Sequence, residues 1–325
     1  MQAMRLVRIA MLLAPLALSG CLYRAAWLPD GKHVAYLRNG ALWITDLEGR
    51  HARIADAPAP DITLAPAPSH DLIALAGTFD GVRALKVVDQ LGTLRWSISL
   101  PGTDASLLPG CWSPDATTIL LTLSTRQVFV CDLETGNTTR LNTRGGPARF
   151  TPGSDLIWLA ADSKGKWRLE RNDRGIPVTE PKGDDAEPLR IADDMEKIWW
   201  RVRSAAGTRI VLAGPDGKPV FQSDRTFVAP GPDGNSYLTT DQGYALISAG
   251  SPARNLNAVY NRLLKMDLGW QLADPKTAAE PYDARELLAA TPAFSPDGKR
   301  LAILTPHLLA ISDLNSGEVL ALAKW

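Results

Sequence analysis

The chain has no excess of charge: 35 Lys and Arg stand against 35 Asp and Glu. Such a balance leaves no electrostatic footprint for nucleic acid. Cysteine is scarce, at three in 325 residues, which excludes a disulfide-built scaffold. The four histidines, His33, His51, His70 and His307, fall at strand starts or loops, and none pairs with another at metal-ligand spacing. They read as solvent-facing turn residues. A G-x-S-x-G elbow is absent, as is the S-x-D-x-G-x-T-W box of sialidases. No apolar run reaches the roughly 18 residues that a permanent membrane-spanning helix needs.

What the sequence has is a turn that recurs. Trp27-Leu28-Pro29-Asp30-Gly31-Lys32, Trp112-Ser113-Pro114-Asp115 and Phe294-Ser295-Pro296-Asp297-Gly298-Lys299 are its clear copies. Proline presets φ at the first corner, Asp bonds back to its own backbone, and Gly takes a positive φ without a clash. Degenerate copies lie at Pro68, Pro152, Asp193 and Pro232. From Pro29 to Pro296 the seven anchors are separated by 39, 46, 38, 41, 39 and 64 residues. A second turn follows each anchor, best seen in Asp46 to Gly49, Asp132 to Gly136 and Asp313 to Gly317. Short apolar runs such as His33 to Leu37 and Leu42 to Thr45 lie between the two turns and read as strands. Four short strands repeated every 40 or so residues are the blades of a β-propeller.

The aromatic-Ser-Pro-Asp-Gly-Lys turn, followed by a strand and then an apolar strand ending in Asp, resembles the TolB-type, WD-like repeat of bacterial envelope proteins. The resemblance runs over nearly all of residues 22–325. It implies an all-β fold, a single propeller of seven four-stranded blades. The expected blades are Tyr23 to Ala55, a second ending near Leu100, Ser106 to Asn142, Ala148 to Glu180, Pro188 to Gln222, Thr226 to Asn257 and Pro292 to Trp325. The 64-residue gap is too short for an added blade. It reads as an insertion over Ala258 to Thr291 in which Ala258 to Met266 has helical spacing. Asp283 is placed to cap a short second helix, Ala284 to Ala290, with Glu286 at the third position.

The first twenty residues read as a removable leader. Arg5 and Arg8 precede an apolar stretch, Ile9 to Leu18, and Leu18-Ser19-Gly20-Cys21 resembles a bacterial lipobox. The domains are therefore 1–20, a lipoprotein signal peptide, and 21–325, the propeller. Cys21 is the expected lipid attachment site; the alternative is an ordinary signal peptide that leaves the cysteine unmodified. Leu22 after the cysteine implies, by likeness to sorted lipoproteins, the outer membrane, with the propeller facing the periplasm. Without Arg5 and Arg8 the chain keeps 33 basic and 35 acidic residues. Cys111 is expected on the first strand of blade three and Cys131 on its third, two strand spacings or about 9.5 Å apart. A disulfide needs about 7 Å or less between Cα atoms, so both read as buried thiols.

The acidic run Asp184, Asp185, Glu187, Asp193, Asp194 and Glu196 lacks the alternating pattern of a calcium loop and reads as a solvated loop, with Pro181 to Glu187 lying before blade five. Arg201 and Arg203 share one face of a strand. The expected function is a non-catalytic, lipid-anchored propeller that docks a protein or envelope component, with no cofactor or metal. Tyr260, Arg262, Trp270 and Tyr282 in the insertion are the candidate partner-binding residues, since aromatics and Arg are enriched at hot spots. The alternative is an enzyme or small-molecule binder that uses the central channel, where the inner strands converge.

Overall fold

The computed structural model describes residues 24–100, 105–123, 125, 127–141, 146–162, 164–171, 174–192, 194, 196–231, 236–240, 243–273, 292–305 and 307–324. They form seven four-stranded antiparallel sheets, each built from consecutive strands. Blade one holds β1 (Ala25–Trp27), β2 (His33–Arg38), β3 (Ala41–Asp46) and β4 (His51–Asp56). Blade two holds β5 (Thr63–Pro66), β6 (Leu72–Phe79), β7 (Val82–Asp89) and β8 (Leu94–Ser99). Blade three has β9 (Ala105–Ser106), β10 (Thr118–Leu123), β11 (Val128–Asp132) and β12 (Thr138–Arg140). In blade four are β13 (Ala148–Phe150), β14 (Leu156–Ala161), β15 (Trp167–Arg171) and β16 (Arg174–Val178). Blade five contains β17 (Asp185–Ile191), β18 (Ile198–Ser204), β19 (Gly207–Ala213) and β20 (Pro219–Ser223). Blade six is short: β21 (Ala229–Pro230), β22 (Ser236–Thr239), β23 (Ala245–Ser248) and β24 (Arg254–Asn255). Blade seven is β25 (Ala293–Phe294), β26 (Arg300–Leu304), β27 (Leu308–Asp313) and β28 (Val319–Lys324). Among the described residues one helix, α1 (Asn257–Ala273), follows blade six. The expected seven-bladed, all-β propeller with a partly helical insertion is the observed fold.

The repeat turn forms for a local reason. In blades three and seven the serine hydroxyl donates to the turn aspartate, Ser113 to Asp115 and Ser295 to Asp297, each at 2.6 Å. The same hydroxyls accept the amides of Thr118 and Arg300, each at 2.9 Å. The aspartates accept the next amides, Thr117 at 3.2 Å and Lys299 at 3.1 Å. Gly31 and Gly298 sit at φ 64° and 68°, a region that costs glycine nothing. Ala116 takes that place in blade three at φ 56°. Its buried methyl belongs to the core there, and those contacts offset the strain.

Blade faces become core in pairs. Separate apolar clusters join blades one and two, blades two to four, blades four and five, and blades five and six. At the last of these Trp199 lies edge-on to Phe221 and Tyr237. Trp167 meets Trp200 edge-on at 6.3 Å across blades four and five. A further cluster joins blades six and seven and includes Val259 and Leu263 of α1. The ring closes where Ala25, Trp27, Val34 and Tyr36 pack on Ala302, Leu309, Ile311 and Ala323. Closure is therefore by packing of blade seven on blade one, with no strand shared between them. Trp27 Nε1 donates to the carbonyl of Ala293 in blade seven at 2.9 Å, and Trp112 Nε1 to that of Ala65 in blade two at 2.9 Å. The repeat tryptophan thus ties each of these blades to the one before it.

Three expectations change. The run Pro181 to Glu187 is not all loop, because Asp185 and Glu187 lie in β17. There they oppose Arg203 and Arg201 across β18 and pair with them at 3.2 and 3.0 Å. Opposite charges placed directly across a ladder favour the strand. Cys111 lies beyond the short β9, although its carbonyl still accepts the Leu120 amide at 2.7 Å. The insertion helix runs on to Ala273 instead of ending near Met266. The second expected helix, Ala284 to Ala290, lies outside the described residues.

Cys111 and Cys131 are free and buried, as expected. Burial pushes both thiols up to about 12.

Candidate functional site: the two ends of the ring

Consecutive antiparallel strands give the disc two unlike faces. The turns between first and second strands, and between third and fourth, share one face. The second-to-third turns and the links between blades share the other. The insertion leaves blade six from the linking face.

Helix α1 lies on the seam of blades six and seven. Its buried residues, Val259, Leu263, Asp267 and Gln271, recur every four positions. Tyr260 stands edge-on to Tyr244 with ring centres 5.4 Å apart. Arg262 is exposed, and its guanidinium donates to the Gly317 carbonyl in blade seven. Trp270 is 36% exposed, and Lys324 Nζ lies 4.2 Å from its ring centre. The structure thus places Tyr260 and Arg262 against the ring and Trp270 at the surface. Tyr282 and Cys21 lie outside the described residues.

A polar cluster sits under the helix. Asp267 is 1% exposed and accepts the Thr305 hydroxyl at 2.5 Å. Thr305 Oγ1 also accepts the amides of His307 and Leu308, at 3.2 and 3.0 Å. Burial, with help from the Arg24 charge, holds the Arg38 guanidinium below its ordinary value, while Asp267 pulls the other way. Burial also pushes the Tyr244 phenol up, and Tyr260 and Asp267 add to the rise. The Thr305–Asp267 hydrogen bond and the Tyr244–Tyr260 contact fix α1 to the ring.

At the face of the repeat turns, all seven blades open into one cavity of about 660 Å³. Its wall is apolar, with Trp27, Leu107, Trp112, Phe150 and Phe294 among the lining residues. Eight prolines line it as well, Pro66 to Pro296. Proline has a fixed φ and no amide to donate, so the rim is stiff and poor in donors. Two charged side chains line the cavity among the described residues, Arg149 from β13 and Arg190 from β17. Arg149 Nη1 donates to the Ile191 carbonyl at 3.2 Å, next to Arg190.

The sequence reading did not single out this pair. The signal was present in the repeat itself. Within the positions just before the anchor, blades one and two carry Ala25, Ala26, Ala65 and Pro66, whereas blades four and five carry Arg149 and Arg190. Aligning the inner strands as a column would have found them. Among the described residues no group of three or more His, Cys, Asp or Glu is arranged to hold a metal.

No protein-family model and no curated protein matches the chain. Solved structures similar in fold include TolB from Acinetobacter baumannii, 14% identical, with a TM-score of 0.44 over 88% of this chain and 77% of that one. A chain of a Mitotic Checkpoint Complex structure, 11% identical, covers 88% of this chain and 84% of its own at a TM-score of 0.55. At such identity the second likeness is one of fold alone, the propeller ring already described.

Proposed function

We propose that this chain is a non-catalytic binding module of the cell envelope, held to a membrane by a lipid on Cys21, and that it docks a protein or envelope component. One observation carries the reading: all seven blades line a single stiff, apolar cavity at one face. A concave apolar site on a rigid frame loses little conformational entropy on binding. Of the insertion residues, Trp270 is the one offered as a second contact, since Tyr260 and Arg262 face the ring and Tyr282 is outside the described residues. The insertion as recognition element is thus carried by its exposed aromatic.

The test uses the full chain in its membrane. A photo-crosslinking side chain is placed at Ser69, exposed on the cavity rim, and separately at Trp270. A discrete adduct at Ser69, identified by mass, is the expected result. Adducts at neither position would overturn the docking role. An adduct at Trp270 alone would move the docking surface to the insertion. In parallel, Cys21→Ser is expected to release the protein from the membrane fraction and abolish lipid labelling. Unchanged fractionation would overturn the anchor.

A further inference from the structure

We propose that the C-terminal half of α1 rests on a lipid surface, the bilayer to which Cys21 is anchored. The inference rests on the reading of Cys21 as the lipid site and names what the exposed end of the insertion touches. The neighbours of Asp267 fix where this half of the helix lies. Its carboxylate accepts the Thr305 hydroxyl at 2.5 Å, and its charge acts on Tyr244 and Arg38. Thr305 sits between β26 and β27, Tyr244 just before β23, and Arg38 at the end of β2. All three belong to second-to-third turns, so Asp267 lies at the linking face of blades six, seven and one. The chain enters the ring on that face too. Arg24 precedes β1, its carbonyl accepts the Leu37 amide at 2.8 Å, and its charge also acts on Arg38. Cys21 is three residues before Arg24, and three residues span at most about 11 Å. An anchored Cys21 thus holds the bilayer close to the face on which this half of the helix lies.

What α1 shows to the outside suits such a surface. Leu272 is 59% exposed and Trp270 36%. Lys265 precedes Leu272 by about two helical turns and so shares its side of the helix; it is exposed as well. The exposed charges of α1, Arg262 and Lys265, are both basic, and its one acid, Asp267, is buried. Lys324 Nζ stands 4.2 Å from the centre of the Trp270 ring, which adds a cation beside the aromatic. Tryptophan settles at the level of lipid head groups, with its ring in apolar surroundings and its N–H wet. Lysine lays its apolar stem along that boundary and keeps its charge in water. Basic side chains favour a surface with anionic lipid. No helix among the described residues is long and apolar enough to cross a membrane, so the contact is with the surface of the bilayer. A globular protein partner on this helix would have to fit between the disc and its membrane, where the tether allows only about 11 Å.

The experiment attaches an environment-sensitive fluorophore to Leu272→Cys in the full, lipidated chain, reconstituted in vesicles of phosphatidylcholine and phosphatidylglycerol. Cys111 and Cys131 are buried and Cys21 carries the lipid, so the label goes to the new thiol. Leu91→Cys, in the third-to-fourth turn of blade two and 90% exposed, reports from the opposite face. Interfacial helices sit roughly 5–10 Å into the head-group boundary, so emission from the Leu272 position is expected to shift to the blue and to lose at least about half its intensity to lipids spin-labelled just below the head group. Neither change is expected at the Leu91 position. Water-like emission from the Leu272 position, on chain that floats with the vesicles, overturns the inference and leaves the anchor standing. Equal quenching at both positions also overturns it. Chain that does not float with the vesicles ends the anchor and the inference together. If Leu272→Cys does not fold, Lys265→Cys on the same side of the helix gives the same reading. A crosslink from the Trp270 position to protein instead of lipid overturns the inference as well and gives the helix to the docking partner.

Discussion

The hydroxyls of Ser113 and Ser295 each donate to a turn aspartate and accept an amide five residues on. Both serines are 3% exposed. Ser295→Ala leaves the Arg300 amide without that acceptor, and a buried loss of this kind costs about 1–2 kcal/mol. Urea denaturation should show the midpoint fall with an unchanged slope; an unchanged midpoint would remove the turn from the stability of the ring. The same turns hold carboxylates whose titration bears on stability in acid. Asp115 and Asp297 are held below the usual carboxylate range, first by these serine hydroxyls. Backbone amides do the same for Asp89, Asp132, Asp216 and Asp313. A carboxyl whose folded value is lowered binds fewer protons in the folded state. Its stabilisation is complete above the unfolded value, near pH 4, and is lost as the pH falls from there through the folded value. The acid transition of Ser295→Ala should accordingly begin at a higher pH than that of the unaltered chain.

At the scale of one element, α1 separates what holds the ring from what faces outward. Leu263 is 0% exposed and joins the core of blades six and seven. Leu263→Ala should cost about 2–5 kcal/mol, read by thermal or urea melting. Trp270→Ala, at a residue 36% exposed, should cost less than about 1 kcal/mol. Equal losses would mean that the outer face of the helix is packed as tightly as the inner one. The helix also explains where sequence reading stopped short. Its buried positions continue from Val259 and Leu263 to Asp267 and Gln271, so the apolar period fades halfway while the helix goes on. Hydropathy could not follow it, because Asp267 is buried by virtue of a partner, Thr305, that lies 38 residues away. In β17 the obstacle was similar. Asp185 and Glu187 look like loop residues until Arg203 and Arg201 stand opposite them. The repeat turns were legible because their hydrogen bonds close within five residues. The arginine pair in the cavity was not, because it exists only once blades four and five are set side by side.

At the scale of the molecule, the described residues of blades seven and one close the ring by packing and without a shared strand. Trp27→Phe keeps most of the packing between blades seven and one but removes the donor to Ala293. Trp112→Phe does the same between blades three and two. Each should cost about 0.5–1.5 kcal/mol, and melting of the two variants should show losses of similar size. A much larger loss for Trp27→Phe would mark the closing seam as weaker than the others.

The direction of the inner strands has a consequence for how the disc would hang in an envelope. Strand β1 starts at Ala25 on the linking face and runs toward the repeat turns, where the arginine-lined cavity opens. Cys21 is four residues upstream of that start, and four residues span at most about 14 Å. With a lipid on Cys21, the disc is leashed by its back, and its open mouth looks across the compartment. What enters it then arrives in trans, from solution or from an opposing surface, and not from the bilayer that carries the leash.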